Sequence, residues 1–298
     1  MDAVTPTESS PRILFIDVDG TILEHGSVIA PSTATAIRAV RERGHLVYLC
    51  TGRSAGDIHP DVAAIGFDGA ITNGGAYATR GEEELFFHPM PRADVDRLTS
   101  YFEENGVHYF LQANQQVYAS PGILGMMTSF LRMRAARRSE DLAHLGIDED
   151  QQDLLNAVLT EAADRYLPVS EADRDHIAKA VFVSDRSDSV DQAQRALGER
   201  FHVIPGSMPM PGGSNGEISL RGTNKGAAIV EVLSILGLDA ADAIGIGDSW
   251  NDVEMFQVCG TAVAMGGADP QLRALADHVT TGVLDDGVHN ALATLGLL

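Results

Sequence analysis

Positive charge is the scarcest resource in this chain. Among 298 residues, 21 are Lys or Arg and 42 are Asp or Glu, which leaves a formal net charge of −21. No broad basic face can be built from that supply, which argues against nucleic acid and anionic membrane as partners. Lysine is reduced to Lys179 and Lys225. In a chain that so prefers arginine, each lysine calls for a specific reason. Cysteine is nearly as rare. Cys50 and Cys259 lie in or beside apolar stretches without metal or redox spacing, so reduced, buried thiols and a cytoplasmic location are expected. No uninterrupted apolar run approaches the roughly 18 residues of a membrane span. The opening MDAVTPTESSPR carries acids and no apolar core, does not read as a signal peptide, and is expected to be a loose tail over 1–11. What remains is ordinary globular material, 44% hydrophobic with mean hydropathy close to zero, and long enough for two domains with real cores.

The recurring unit is a short apolar strand, a polar turn, then a helix. ILFI (13–16), HLVYLC (45–50), GAIT (69–72), AIGIG (243–247), TAVAM (261–265) and DHVT (277–280) read as strands. STATAIRAVRERG (32–44) and KGAAIVEVLSILG (225–237) read as helices, the first with Ser32 as its N-cap and Gly44 as its stop. Near-continuous apolar strands alternating with helices predict a parallel sheet covered on both faces. The middle differs. VHYFL (107–111), QVYAS (116–120), AVFVS (180–184) and FHVIP (201–205), with helices over 93–106 and 189–200, predict an antiparallel sheet with helices on one face. The run SMPMPGGSNG (207–216) suits a linker. The fold class is therefore α/β, a Rossmann-like parallel-sheet core over 1–84 and 212–298, interrupted by an inserted α+β domain over 85–211.

Chemistry gathers at strand ends, where open α/β sheets place ligands. DVDGT (17–21) follows ILFI directly. Asp17 and Asp19, two apart in extended chain, point to the same side, and Gly20 allows a sharp departure. Two such carboxylates repel unless a cation or proton intervenes. GDSWND (247–252) follows AIGIG and sets Asp248 at a strand end, with Asp252 one helical turn on; Asp248 or Ser249 could also simply cap the next helix. Four acids at two strand ends make a hard, oxygen-rich site of magnesium type. TGR (51–53) ends a third strand, with a hydroxyl and amides suited to a phosphate oxygen. Lys225 opens a helix, where a cation opposes the dipole; neutralising acids and a phosphoryl group would give that position a purpose.

These motifs, in this order, resemble the haloacid dehalogenase superfamily: DVDGT, TGR, Lys225 and GDSWND stand as its four signatures. ITNGG (71–75), GEISLRGTNKG (216–226), AMGGADPQLRALADHVT (264–280) and DDGVHNAL (285–292) resemble its Cof-type, sugar-phosphatase-like branch, which carries a large inserted cap. Gly267 stands where that branch usually has asparagine. The resemblance implies that Asp17 is the nucleophile, forming an aspartyl-phosphate, and that Asp19 is the acid and base. It implies that Thr51, Gly52, Lys225, Asn73 and Asn251 bind the phosphoryl group, with Arg53 and Asp252 in support. It implies Mg2+ on Asp17, Asp248 and Asp19, the last through its backbone carbonyl. The cap is expected to close over the site and choose the leaving group. RMRAARR (132–138) could clamp an anionic substrate or be a solvated face.

The expected activity is hydrolysis of small phosphorylated metabolites by a monomer or homodimer. A phosphomutase or phosphotransferase would share the covalent intermediate. A non-catalytic phosphometabolite sensor would be expected to lack Asp17 or Asp19, and both are present.

Overall fold

The structure, a computed structural model, describes residues 11–24, 27–126, 166–206 and 212–298. The arginine run 132–138 lies outside the described residues. No helix among the described residues is long and apolar enough to cross a membrane. The chain falls into two compact units. One comprises Met1–Arg53, Ile58–Phe87 and Thr223–Leu298; the other comprises Ser54–Asp57 and His88–Gly222.

The first unit is built on an eight-stranded sheet. Its order is His278–Val279, Thr261–Ala264, Ala243–Gly247, Ile13–Ile16, Leu46–Cys50, Gly69–Thr72, Tyr77–Arg80, Glu83–Phe87. The first six run parallel, and the last two add an antiparallel hairpin at one edge. Both faces are covered, which is why the strands read as unbroken apolar runs. Leu14, Ile16, Val47 and Ile246 pack with Ile37 and Val40 of the helix Pro31–Glu42 and with Val288 and Leu292 of Gly287–Thr294. Ile13, Phe15, Tyr48 and Ala243 point the other way, onto Ile229, Val232 and Leu233 of the helix Lys225–Leu236. Each large side chain so buried contributes on the order of 1.5–3 kcal/mol. Ser32 is not the cap expected of it. Pro31 fills the first helical position, where its missing N–H costs nothing, and Ser32 instead donates to the Asp286 carboxylate at 2.5 Å. Gly44 does end the chain's helical course, at φ +88°.

The second unit is a six-stranded sheet ordered Leu167–Pro168, Val117–Ala119, His108–Gln112, Lys179–Ser184, Ser214–Leu220, Phe201–Pro205. It is antiparallel apart from the edge pair Leu167–Pro168 with Val117–Ala119. Tyr109, Leu111, Ala180, Phe182 and Ile218 face the helices Arg92–Glu104 and Ser189–Leu197, whose Leu98, Phe102, Ala193 and Leu197 complete that core. Two boundaries differ from expectation. Ser214–Leu220 is a strand, not the end of a linker, so this unit continues to Gly222. The edge hairpin keeps residues 85–87 in the first unit.

Candidate active site

Asp17 is the first residue beyond the Ile13–Ile16 strand, and its N–H still donates to Ile246 at 2.9 Å, so the parallel ladder fixes its backbone. The residue is 3% exposed. Its Oδ1 accepts from Lys225 Nζ at 2.5 Å, and the same ammonium donates to Asp252 Oδ1 at 2.6 Å. Lys225 and Asp252 are both buried. Lys225 begins its helix behind Asn224, whose Oδ1 accepts from the Ala227 N–H at 2.8 Å. Two carboxylates thus answer the dipole cost of a lysine at a helix start.

Asp252 Oδ2 accepts from the N–H groups of Asp248 and Ser249, both at 3.0 Å, and so shapes the turn after Ala243–Gly247. Asn251 joins that turn by accepting from the Ser249 hydroxyl at 2.8 Å. Asp248 is held by Thr21 Oγ1 at 3.4 Å. Gly20 adopts φ +81°, and a Cβ there would lie 2.1 Å from Asp248 Oδ2. The acids of two separate loops meet because residue 20 carries no side chain. Thr21 and Gly20 were not among the expected site residues, although both lie in DVDGT.

Carboxylate oxygens of Asp17, Asp248 and Asp252 lie within 4.8 Å of one another. Burial pushes Asp17 well up from the usual carboxylate range, against the pull of Lys225. Burial, then the Asp252 charge, pushes Asp248 up to about 7. Burial alone would lower Lys225, but Asp17 and Asp252 outweigh it and hold the ammonium well above its ordinary value. One ammonium against three carboxylates leaves the cluster short of positive charge. The donors are all hard oxygens. That set fits a magnesium-type cation, with Asp17 and Asp248 as the holders, since Asp252 is already engaged by Lys225 and two amides. The Asp19 side chain is not in this group. Its carboxylate forms a two-pronged pair with Arg53, Nε to Oδ2 at 2.7 Å and Nη2 to Oδ1 at 2.6 Å.

The remaining expected residues sit on loops tied together at the carboxyl ends of the parallel strands. Thr51 is buried and accepts through Oγ1 from the Arg53 N–H at 3.1 Å. Around Gly52, between them, the Thr51 and Arg53 carbonyls accept from Gly74 and Asn73, at 3.0 and 2.7 Å. Asn73 is buried at φ +52°, a left-handed conformation that asparagine tolerates. Gly75 packs on Asn224, whose carbonyl oxygen would lie 2.2 Å from a Cβ there. This contact sets the 71–75 turn against the start of the lysine helix. Gly267 has open space around it. Cys50 and Cys259 are buried, free thiols pushed up by burial, Cys259 to about 12.

A strand-end aspartate, a buried lysine and two further carboxylates on parallel-strand loops offer the positioning and charge neutralisation that phosphoryl transfer calls for. The sequence profile of the haloacid dehalogenase-like hydrolases matches residues 14–292, and the chain belongs to that family. It is 25% identical over 283 residues to the 5-amino-6-(5-phospho-D-ribitylamino)uracil phosphatase YwtE of Bacillus subtilis, covering 93% of this chain and 95% of that protein. It is 27% identical over 274 residues to the HMP-PP phosphatase of Escherichia fergusonii, covering 90% and 89%. Among solved structures, the HAD subclass IIB sugar phosphatase BT4131 superposes with TM-score 0.73 at 21% identity, covering 96% of this chain and all of that one.

Proposed function

We propose that this chain is a magnesium-dependent phosphatase that hydrolyses small phosphorylated metabolites, sugar phosphates or similar, through an aspartyl-phosphate on Asp17. The observation that carries the reading is the buried Asp17–Lys225–Asp252 arrangement at a strand end. It presents a carboxylate whose second oxygen takes no part in the lysine contact, beside a fixed cation. The named substrates of YwtE and of the HMP-PP phosphatase are likewise small phosphorylated metabolites.

In this reading Asp17 attacks phosphorus, forming an O–P bond as the ester P–O bond breaks. Asp19 gives its proton to the departing alkoxide, then takes one from the water that attacks the aspartyl-phosphate, releasing phosphate and restoring Asp17. The two-pronged Arg53 contact sets the direction of the Asp19 carboxylate, which must turn from Arg53 to deliver a proton. Lys225 and Thr51 hold phosphoryl oxygens, and the amides around Gly52, with Asn73 and Asn251, complete the cradle. A magnesium ion, held by Asp17 and Asp248 with the Asp19 carbonyl, would supply charge neutralisation for the transferring group. The second unit is the inserted domain that would set substrate specificity.

The test is a panel of phosphorylated metabolites assayed for free phosphate with wild type and Asp17→Asn, with and without chelator. Wild type should turn over several, and the variant should lose several orders of magnitude. Retention of more than roughly a tenth of activity in Asp17→Asn would remove the nucleophile assignment.

A further inference from the structure

Two glycines crowd the start of the lysine helix. Asn224, the residue before Lys225, is held twice over: its Oδ1 accepts from the Ala227 N–H at 2.8 Å, and its carbonyl oxygen accepts from the Ala228 N–H at 3.1 Å. That carbonyl begins the hydrogen-bond ladder of Lys225–Leu236, so the first turn, with Lys225 in it, follows wherever the carbonyl goes. Gly75 lies against it, and a Cβ at 75 would stand 2.2 Å from the carbonyl oxygen and 2.5 Å from its carbon. One residue beyond Lys225, a Cβ on Gly226 would stand 2.4 Å from the Glu254 carbonyl oxygen, in the helix Val253–Val258. Both obstacles are backbone, which cannot swing aside as the end of a side chain can.

The turn that carries Gly75 is stitched to the loop that carries Thr51. The Thr51 N–H donates to the Ile71 carbonyl at 2.9 Å, Asn73 to Arg53 at 2.7 Å and Gly74 to Thr51 at 3.0 Å. Glu254, in turn, follows by two residues Asp252, whose Oδ1 accepts from Lys225. Through Gly75 the lysine helix is gauged against the Thr51 loop, and through Gly226 against the Asp252 turn. A methyl group at either position would force the two backbones about 1 Å apart to reach ordinary contact.

We propose that Gly75 and Gly226 are positioning residues for phosphoryl transfer, whose bare backbones set how near the Lys225 ammonium comes to Thr51 and to Asp17. The inference rests on the phosphatase reading of this site. Each glycine acts through the lysine, not on the substrate. The phosphoryl group is common to all substrates, so the effect does not depend on the leaving group.

The test uses the full chain with three variants. Gly226→Ala adds an obstruction at a helical position that alanine otherwise favours. Gly237→Ala, at φ +66° with open space at the far end of the same helix, adds backbone strain and no obstruction. Gly75→Ala, at φ +111°, adds both. A displacement of about 1 Å at the reacting groups costs about 100-fold. Gly75→Ala and Gly226→Ala should each lower kcat/KM by about that factor, equally for glucose 6-phosphate and p-nitrophenyl phosphate. Competitive inhibition by inorganic phosphate should weaken about tenfold, the weight of one charge-assisted hydrogen bond. Gly237→Ala should lower the melting temperature and keep wild-type kinetics. An unchanged kcat/KM in either folded variant at 75 or 226, a loss confined to one substrate, or an equal loss in Gly237→Ala overturns the proposal. If Gly75→Ala does not fold, Gly226→Ala decides alone; if neither folds, both glycines are structural and the proposal falls. If wild type released phosphate from no ester, the phosphatase reading would fall, and calorimetric titration with inorganic phosphate would judge the glycines instead. Binding about tenfold weaker in Gly226→Ala than in wild type supports them, and equal or absent binding overturns them.

Discussion

Lys225→Met is the sharpest perturbation of the charge cluster. Methionine keeps the length of the stem and removes only the ammonium, which donates at 2.5 and 2.6 Å to Asp17 and Asp252. With all three side chains buried, the variant leaves two carboxylates uncompensated. Breaking a buried pair by deleting one partner costs about 3–5 kcal/mol. At roughly 2–4 °C per kcal/mol for a unit of this size, the melting temperature should drop by about 6–20 °C. The loss must depend on pH. Burial already holds the Asp17 pKa well above its ordinary value, and removing the lysine takes away the contact that pulls it down. A carboxyl raised in the folded state binds more protons there than in the unfolded chain, so it lowers stability as pH rises. The drop should therefore be largest near pH 8 and smaller near pH 5, where Asp17 takes up a proton in place of its lost partner. Scanning fluorimetry of wild type and variant at both pH values reads this directly. A loss under about 1 kcal/mol at pH 8, or equal losses at both, would refute the view that Lys225 balances these carboxylates. Adding Asp252→Asn should recover part of the loss, since one of the two stranded charges is removed with the lysine.

Magnesium should raise the melting temperature more at pH 8 than at pH 5.5. Asp248, pushed up to about 7, must give up its proton to hold the cation, so affinity is lost as pH falls through that value. The same shift means that the metal-free protein loses stability as pH rises through about 7, and equal thermal responses at the two pH values would contradict the assignment. Gly20→Ala should cost about 1–2 kcal/mol for its left-handed backbone. It should also displace the Asp248 carboxylate, which would be 2.1 Å from the new Cβ, so that activity demands more magnesium; an unchanged metal titration would count against that contact. Asp19→Asn should slow sugar phosphates more than p-nitrophenyl phosphate, whose leaving group needs no proton, and equal first-step losses in rapid-quench kinetics would reduce Asp19 to a structural part.

The convergence of Asp17, Asp248, Asp252 and Lys225 was legible because each lies in a motif that is local in sequence. DVDGT, TGR and GDSWND each follow an apolar strand, and parallel pairing carries the strand ends together without further information. Partners across long separations were not legible. Nothing in the spacing of Asp19 and Arg53, 34 positions apart, says that their side chains meet in a two-pronged pair. The strand Ser214–Leu220 was hidden for a different reason. It begins inside a Pro- and Gly-rich run that signals a turn, yet Gly216 is needed there because the Phe182 ring would lie 2.4 Å from a Cβ. The edge hairpin Tyr77–Arg80 and Glu83–Phe87 was missed because its solvent-facing residues break the apolar run that marks a buried strand.

Asp252 divides its two oxygens between unlike tasks. Oδ2 gathers the amides that start the turn after Ala243–Gly247, and Oδ1 anchors the lysine. Local chain reversal and the placement of the buried ammonium therefore hang on one carboxylate. Gly247 walls it in from below, where a Cβ would meet Asp252 Oδ2 at 2.5 Å, so a longer acid has nowhere to extend. Attempts to retune this protein's reactivity at position 252 will also rewrite how its fourth motif folds.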